Sequence, residues 1–235
     1  MTDPAFPSNL DFNLDLGPVW LTLRLAATTT FILLLVGTPL AWWLSTTRSR
    51  AKPLVEALAS LPLVLPPTVL GFYLLILMSP SSTLGSLWVD VTGSSLTFSF
   101  AGLVIASLLY SMPFMVQPLS SAFAGVGREP IEAAASLGAS PIDAFLSVVV
   151  PRSARGFLTA SVLTFTHTLG EFGVVLMVGG NIPGETRVLS IAIYDHVETL
   201  RYAEAHLLAG GLLVFSFIVL SIVYTIDRKA RIHVG

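Results

Sequence analysis

Residues 128–151, REPIEAAASLGASPIDAFLSVVVP, form a polar island between two long apolar stretches. Pro130 suits the first position of a helix, where a missing N–H costs nothing, and Gly138 suits the left-handed residue that stops one. Ser140 can then cap a second helix, with Pro141 at its first position and Asp143 in the place of the capping-box Glu. Ile142, Phe145, Leu146 and Val149 follow at helical spacing and Pro151 marks the end, so the second helix is short and amphipathic. Helices this short do not hold themselves together in water, so packing must hold the pair. Two roles fit: a hairpin resting on lipid headgroups, or a rigid elbow offered to a partner protein.

On either side of the island the chain is composed for a bilayer. Of its 235 residues 54% are hydrophobic and 11% charged, against roughly a quarter charged in a soluble domain. Mean hydropathy is +0.81. Cysteine is absent, which excludes disulfides and thiolate metal sites, and two lysines and a net charge of −2 leave no basic surface for nucleic acid. A span needs about 20 mainly apolar residues, because a helix must satisfy its own backbone groups where there is no water. Five stretches qualify: near Val19 to Leu44, Leu54 to Met78, Phe98 to Phe123, Phe157 to Gly180 and Ala203 to Ile226. The chain thus divides into an N-terminal segment 1–17, a transmembrane domain 18–227 containing the hairpin 128–151, and a tail 228–235. The expected fold class is an all-α polytopic membrane protein with about five spans.

Orientation follows from the cations. Arg48, Arg50, Lys52, Arg128, Arg152, Arg155, Arg228, Lys229 and Arg231 lie on one side, nine of the twelve in the chain. The positive-inside rule then puts the N-terminus outside, and the hairpin and C-terminus in the cytoplasm. The first 17 residues carry Asp3, Asp11 and Asp15 and lack the basic start of a secretion signal, so they read as a retained, external, acidic segment. The connection Ser79 to Thr97 is polar and rich in Ser and Gly.

Two spans carry chemistry. In the second, Pro62, Pro66 and Pro67 each remove a backbone donor, so the helix is bent or broken. Broken membrane helices occur where freed carbonyls face protein or a water-lined route. Pro66 and Pro67 are therefore pathway or gate candidates, as conformational residues rather than ligands. In the fourth, Thr164, His167, Thr168 and Glu171 fall at i, i+3, i+4 and i+7, one polar face on an apolar segment. Such a face looks toward a solute pathway or bonds another helix, with Gly170 and Gly173 allowing close approach. A bare carboxylate repels a dianion, so Glu171 reads as a gate, a hinge or a partner for Arg24, which lies at similar depth in the first span. Arg24 can equally snorkel outward. His196 and His206 read as surface or interface residues, and no spacing supports a metal site. Neither lysine completes a glycine-rich phosphate loop, since Lys52 follows Ala51 and Lys229 follows Arg228. No zinc-protease or serine-elbow motif occurs, so the chain itself has no catalytic residues.

The order Glu132-Ala133-Ala134, three residues, Gly138, nine residues and Val148-Val149-Val150-Pro151 resembles the EAA motif of ABC importer permeases. That pattern ends in Ile, any residue, Leu, Pro; Val148 and Val150 stand here for its two aliphatics. LPLVLPPTVLGFYLLI (residues 61–76) and THTLGEFGVVLMVGGNIPGETRV (residues 166–188) look like the second span and the fourth-span exit of molybdate ABC transporter permease subunits. Sulfate and thiosulfate permeases are related; the run Asn181 to Arg187 with the Leu-Pro-Pro stretch favours molybdate, with tungstate as a companion anion.

The resemblance implies a type I ABC importer fold in a bacterial or archaeal plasma membrane. It assigns Glu132, Ala133, Ala134 and Gly138 to a groove of a cytoplasmic ATPase. It also implies a homodimer with the pathway between subunits, and two ATPase copies through which ATP and Mg act, this chain needing no cofactor of its own. An extracytoplasmic molybdate-binding protein would deliver the anion to the outer loops, where Asn181, Gly184, Glu185 and Arg187 mark a docking or outer-gate segment. Rival readings are an ion-coupled secondary transporter, with Glu171 and His167 as a proton relay, and a membrane assembly subunit without flux.

Overall fold

The computed structural model describes residues 15–232, so most of the acidic N-terminal segment and the last three residues of the tail lie outside it. The described residues contain no strand. In chain order they form α1 (Gly17–Thr46), α2 (Lys52–Ser60), α3 (Pro67–Met78), α4 (Thr83–Thr92), α5 (Phe100–Val126), α6 (Glu129–Ser136), α7 (Pro141–Ala144), α8 (Val150–Arg152), α9 (Ala154–Leu169), α10 (Gly173–Gly179), α11 (Leu189–Glu198) and α12 (Tyr202–Ile232).

Three of these, α1, α5 and the stretch Tyr202–Ile222 of α12, are each long and apolar enough to cross a bilayer. Two further crossings are bent pairs. The first joins Lys52–Leu63 to α3 through a 109° bend, and the second joins α9 to α10 through 60°. Counting each pair once gives five. The first bend has the cause the prolines predict. Pro62 sits in a tight 3₁₀ turn, Leu61–Leu63, and Pro66 is extended (φ −54°, ψ 134°) because the ring of Pro67 drives its predecessor out of the helical region. Pro67 then opens α3 at the position that needs no N–H.

α1, α5 and α9 pack side by side. Leu33, Ala41, Leu44, Met115, Val116, Leu119, Phe123 and Ala160 fill one end of their interface. Leu21, Leu25, Leu103 and Val104 meet Val175 of α10 and Ile191 of α11 at the other. α3 lies on α10 at very short range. A Cβ added to Gly71 would come 2.8 Å from the Met177 Cβ and 3.2 Å from the Val174 Cα. In lipid there is little hydrophobic force between helices, so this kind of small-residue approach is what holds them.

Two helices sit where the sequence reading placed only connection. α4 occupies the polar loop 79–97, capped by the Ser82 hydroxyl on the Gly85 N–H (2.9 Å) and stopped by Gly93 at φ +70°. α11 occupies the loop after the fourth span and buries Leu189, Ile191 and Ala192. Arg24 is exposed, with its guanidinium 4.3 Å above the Phe100 ring. Among the described residues it makes no ion pair with Glu171; its exposure fits the snorkelling reading, with a cation–π contact to Phe100 added.

The α3–α10 contact generates a reversal of the usual sign. Gly→Ala in a free helix stabilises, whereas Gly71→Ala should lower the thermal unfolding midpoint of the purified protein by an amount equivalent to about 1–3 kcal/mol. Gly125→Ala, with nothing within 4 Å of the added methyl, should not.

Candidate functional site

The polar face of the fourth span closes on α5. Glu171 lies just past the end of α9, its side chain without exposed surface. Ser107 donates to Oε2 at 2.5 Å and Ser111 to Oε1 at 2.6 Å. Ser111 Oγ also lies 2.9 Å from Thr168 Oγ1 and 2.9 Å from His167 Nδ1, which is itself 3.5 Å from Oε1. One hydroxyl can donate once and accept twice, so Ser111 serves all three neighbours. The His167 ring is stacked on Phe114 (4.0 Å) and tilted against Tyr110 (4.8 Å). Thr164, the fourth residue of the face, is fully buried, and its hydroxyl has no partner. The sequence signal for Ser107 and Ser111 was available: two small hydroxyls one turn apart on an apolar helix.

The same residue reaches further through its backbone. The freed carbonyl of Glu171 accepts from the Ser190 hydroxyl of α11. Next to Ser190, the Leu189 N–H donates to Thr22 Oγ1 of α1 at 2.7 Å. The break between α9 and α10 is thereby tied to α5, α11 and α1.

A cavity of about 610 Å³ opens where the two bent pairs meet. Pro67 and Thr68 at the start of α3 line it from one side, and Thr166, His167 and Gly173 from the other, with Tyr110 of α5 behind. Of the sequence candidates, Pro67, His167 and Glu171 therefore share one cavity, while Thr164 and Thr168 are not among its lining residues. Pro66 shapes the break as the residue preceding α3.

The hairpin is built as two opposed caps. The Ala139 N–H bonds the Ala134 carbonyl (3.1 Å) and the Gly138 N–H bonds that of Ala135 (3.0 Å), the paired bonds of a Schellman stop, with Gly138 at φ +88°. Ser140 and Asp143 complete a reciprocal capping box at 3.2 and 3.3 Å. From there the path stays helical through Pro151 to Arg152, one residue beyond the expected end. It does so by a π-turn over Phe145–Val149, in which the Val150 N–H reaches back to the Phe145 carbonyl. The expected apolar stripe divides. Phe145 packs on Trp42 and Phe123 (5.1 and 5.8 Å) and Val149 is buried, whereas Ile142 and Leu146 are exposed, as is Leu137 at 89%. Glu132 and Ala133 are also exposed, and Ala134 is half-buried.

Beyond α10, Asn181 bridges the loop to α11: Arg187 Nε donates to its Oδ1 (2.5 Å) and its Nδ2 donates to Asp195 (3.1 Å). Gly184 turns at φ +78°, and Glu185 is exposed. Thr186, not singled out from sequence, is fully buried and holds the loop by donating to the Gly179 carbonyl at 2.6 Å. Tyr194 donates to Glu198, and that hydrogen bond, with the carboxylate's charge, raises its phenol above the usual value.

The sequence pattern of binding-protein-dependent transport system inner membrane components matches residues 34–232. The chain belongs to that family. This permease is 56% identical over 214 residues to the molybdenum transport system permease protein ModB of Azotobacter vinelandii, covering 91% of this chain and 95% of that protein. It is 35% identical to the ModB protein of Escherichia coli K12, over 77% of this chain and 79% of that one. Against the sulfate transport system permease protein CysT of the same strain, identity is 32%, over 82% and 69%. Its fold matches that of the inward-facing methionine ABC transporter MetNI with a TM-score of 0.71 at 18% identity, covering 92% and 95% of the two chains. The permease is thus a multi-pass inner membrane protein of type I importer architecture.

The network separates two hydroxyls on the permease's α5 and α9. Ser111→Ala orphans a carboxylate oxygen, an imidazole nitrogen and a threonine hydroxyl, and should cost about 1–3 kcal/mol or more. Thr164→Val removes an unpartnered hydroxyl and should be neutral or stabilising. Thermal unfolding midpoints of the two variants in detergent check the contrast.

Proposed function

We propose that the permease carries molybdate, with tungstate as a second substrate, into the cytoplasm as the membrane subunit of an ATP-driven importer. The observation that carries this reading is the 56% identity to a molybdenum permease across 95% of that protein's length. The sulfate reading rests on lower identity and covers only 69% of the relative.

In this reading the permease forms a homodimer with the route between its subunits. Its N-terminus is outside, as the cation distribution favours, and two cytoplasmic ATPases bind ATP and Mg. A binding protein delivers the anion at the outer face, where Asn181, Gly184, Glu185 and Arg187 dock it or form the outer gate. The elbow of α6 and α7 enters a groove of the ATPase. Glu132, Ala133, Ala134 and Gly138 lie at that contact, joined by the exposed Leu137, Ile142 and Leu146. Because Phe145 is packed on Trp42 and Phe123, force applied to the elbow enters the α1–α5 core directly. The breaks at Pro66–Pro67 and Gly170–Phe172 are the places where that force can change helix direction.

Competition among molybdate, tungstate and sulfate for ATP-driven uptake by the reconstituted complex tests the substrate. Molybdate and tungstate should exclude each other, and sulfate should compete poorly; sulfate uptake unaffected by molybdate would overturn the reading. Gly138→Val tests the coupling. A β-branched residue at φ +88° costs about 1–2 kcal/mol, enough to depopulate the seated elbow roughly tenfold. The variant should insert normally but import several-fold less molybdate per ATP hydrolysed.

A further inference from the structure

The structure assigns α4 and the groove beneath it to the bilayer: an acyl chain of the leaflet opposite the elbow lies between α4, α3 and α5. This goes beyond the transport reading and holds whichever anion is carried.

The sequence of α4 has two faces. Leu84, Leu87, Trp88 and Val91 fall at i, i+3, i+4 and i+7, while Ser82, Ser86 and Asp90 fall on the opposite side. A helix with that pattern lies along a membrane boundary with its apolar side down. Here the apolar side is not closed by the protein: Leu84, Leu87 and Val91 are exposed, Val91 at 83%. It roofs a groove of about 390 Å³ walled by Leu77 and Met78 of α3 and by Ile105 and Leu109 of α5. Among the described residues no charged or hydroxyl-bearing side chain lines it.

Depth, size and charge select the occupant. Helix α5 crosses the membrane, and Ile105 and Leu109 lie about 8 and 14 Å along it from Phe100 at the usual helical rise. The groove thus reaches about as deep as one leaflet, half of a hydrocarbon core of about 30 Å. Its volume suits a single hydrocarbon chain. A helix from a second copy, about 10–12 Å across, would need roughly 1,000 Å³ or more over the same depth. Left empty, the groove would forfeit the packing contacts of every side chain along it. Residues 79–97 carry Asp90 and neither Lys nor Arg, so the groove takes the chain and does not select an anionic headgroup.

What fills the groove also bears on the second crossing, because α4 is fixed to the end of α3. The Ser82 hydroxyl donates to the Leu77 carbonyl (2.5 Å), and the Ser82 N–H donates to that of Ser79 (2.8 Å). Gly85 sits so close that an added Cβ would come 2.0 Å from the Ser79 carbonyl oxygen. Helices α3 and α4 are therefore one bent piece, and the other end of α3 supplies Pro67 and Thr68 to the cavity. A chain under α4 braces that piece from the lipid side.

The test is tryptophan emission from the full-length permease in bilayer discs of phosphatidylcholine brominated near the middle of its chains. The component that Trp88→Phe removes should be lost in proportion to the brominated fraction. Replacing part of the lipid by equally brominated phosphatidylglycerol should leave that loss unchanged. Leu109→Phe puts a ring into the groove and should protect Trp88, while the component that Trp20→Phe removes, from an exposed residue of α1, is quenched as before. An unquenched Trp88, or one protected only where the permease is dimeric, puts water or protein in the groove and overturns the inference. A loss that grows with the anionic lipid overturns it too, as does Leu109→Phe without protection, since the contact is then with the loose lipid shell. If Leu109→Phe does not assemble, the wild-type loss and its independence of headgroup decide.

Discussion

A carboxylate among membrane helices must be answered atom by atom, because lipid supplies no hydrogen bonds. Glu171 is answered by two serines of α5 and approached by a histidine of α9, and its main-chain carbonyl is taken by Ser190 of α11. One residue therefore joins three segments at the point where the fourth crossing breaks. The cavity lies beside this junction, where α10 leaves α9 through a 60° bend and meets the start of α3 at Pro67 and Gly173.

The second organising element is the elbow, and it obeys a different economy. Its geometry is local: a Schellman stop, a capping box and a π-turn, each satisfied within a few residues. Its attachment is not local. Phe145 and Val149 are sunk into the cluster that also holds Trp42 of α1 and Phe123 of α5. The elbow is held by its own caps and fastened to the long helices α1 and α5.

Much of this was legible in the residues, and the reasons differ by element. Pro66–Pro67 and Gly138 dictate backbone shape alone, so the break and the turn could be read without knowing any neighbour. The polar face of the fourth span was equally visible as a period-3.6 pattern, but its partners were not. Ser107 and Ser111 lie some sixty residues away and mean nothing until α5 is laid against α9. The two readings of Arg24 stayed open for the same reason: similar depth along two helices does not fix which way each face turns, and the exposed guanidinium lies over Phe100. α4 and α11 were hidden by their flanks, since short helices inside polar connections show few apolar repeats against a chain that is apolar nearly everywhere. Exposure of Ile142 and Leu146 beside half-buried Phe145 and buried Val149 also needed the fold, because periodicity places a stripe without saying which half is covered.

Leu137, Ile142 and Leu146 stand bare on the elbow. A copy of the chain with that patch uncovered would be adhesive to its siblings and to membranes.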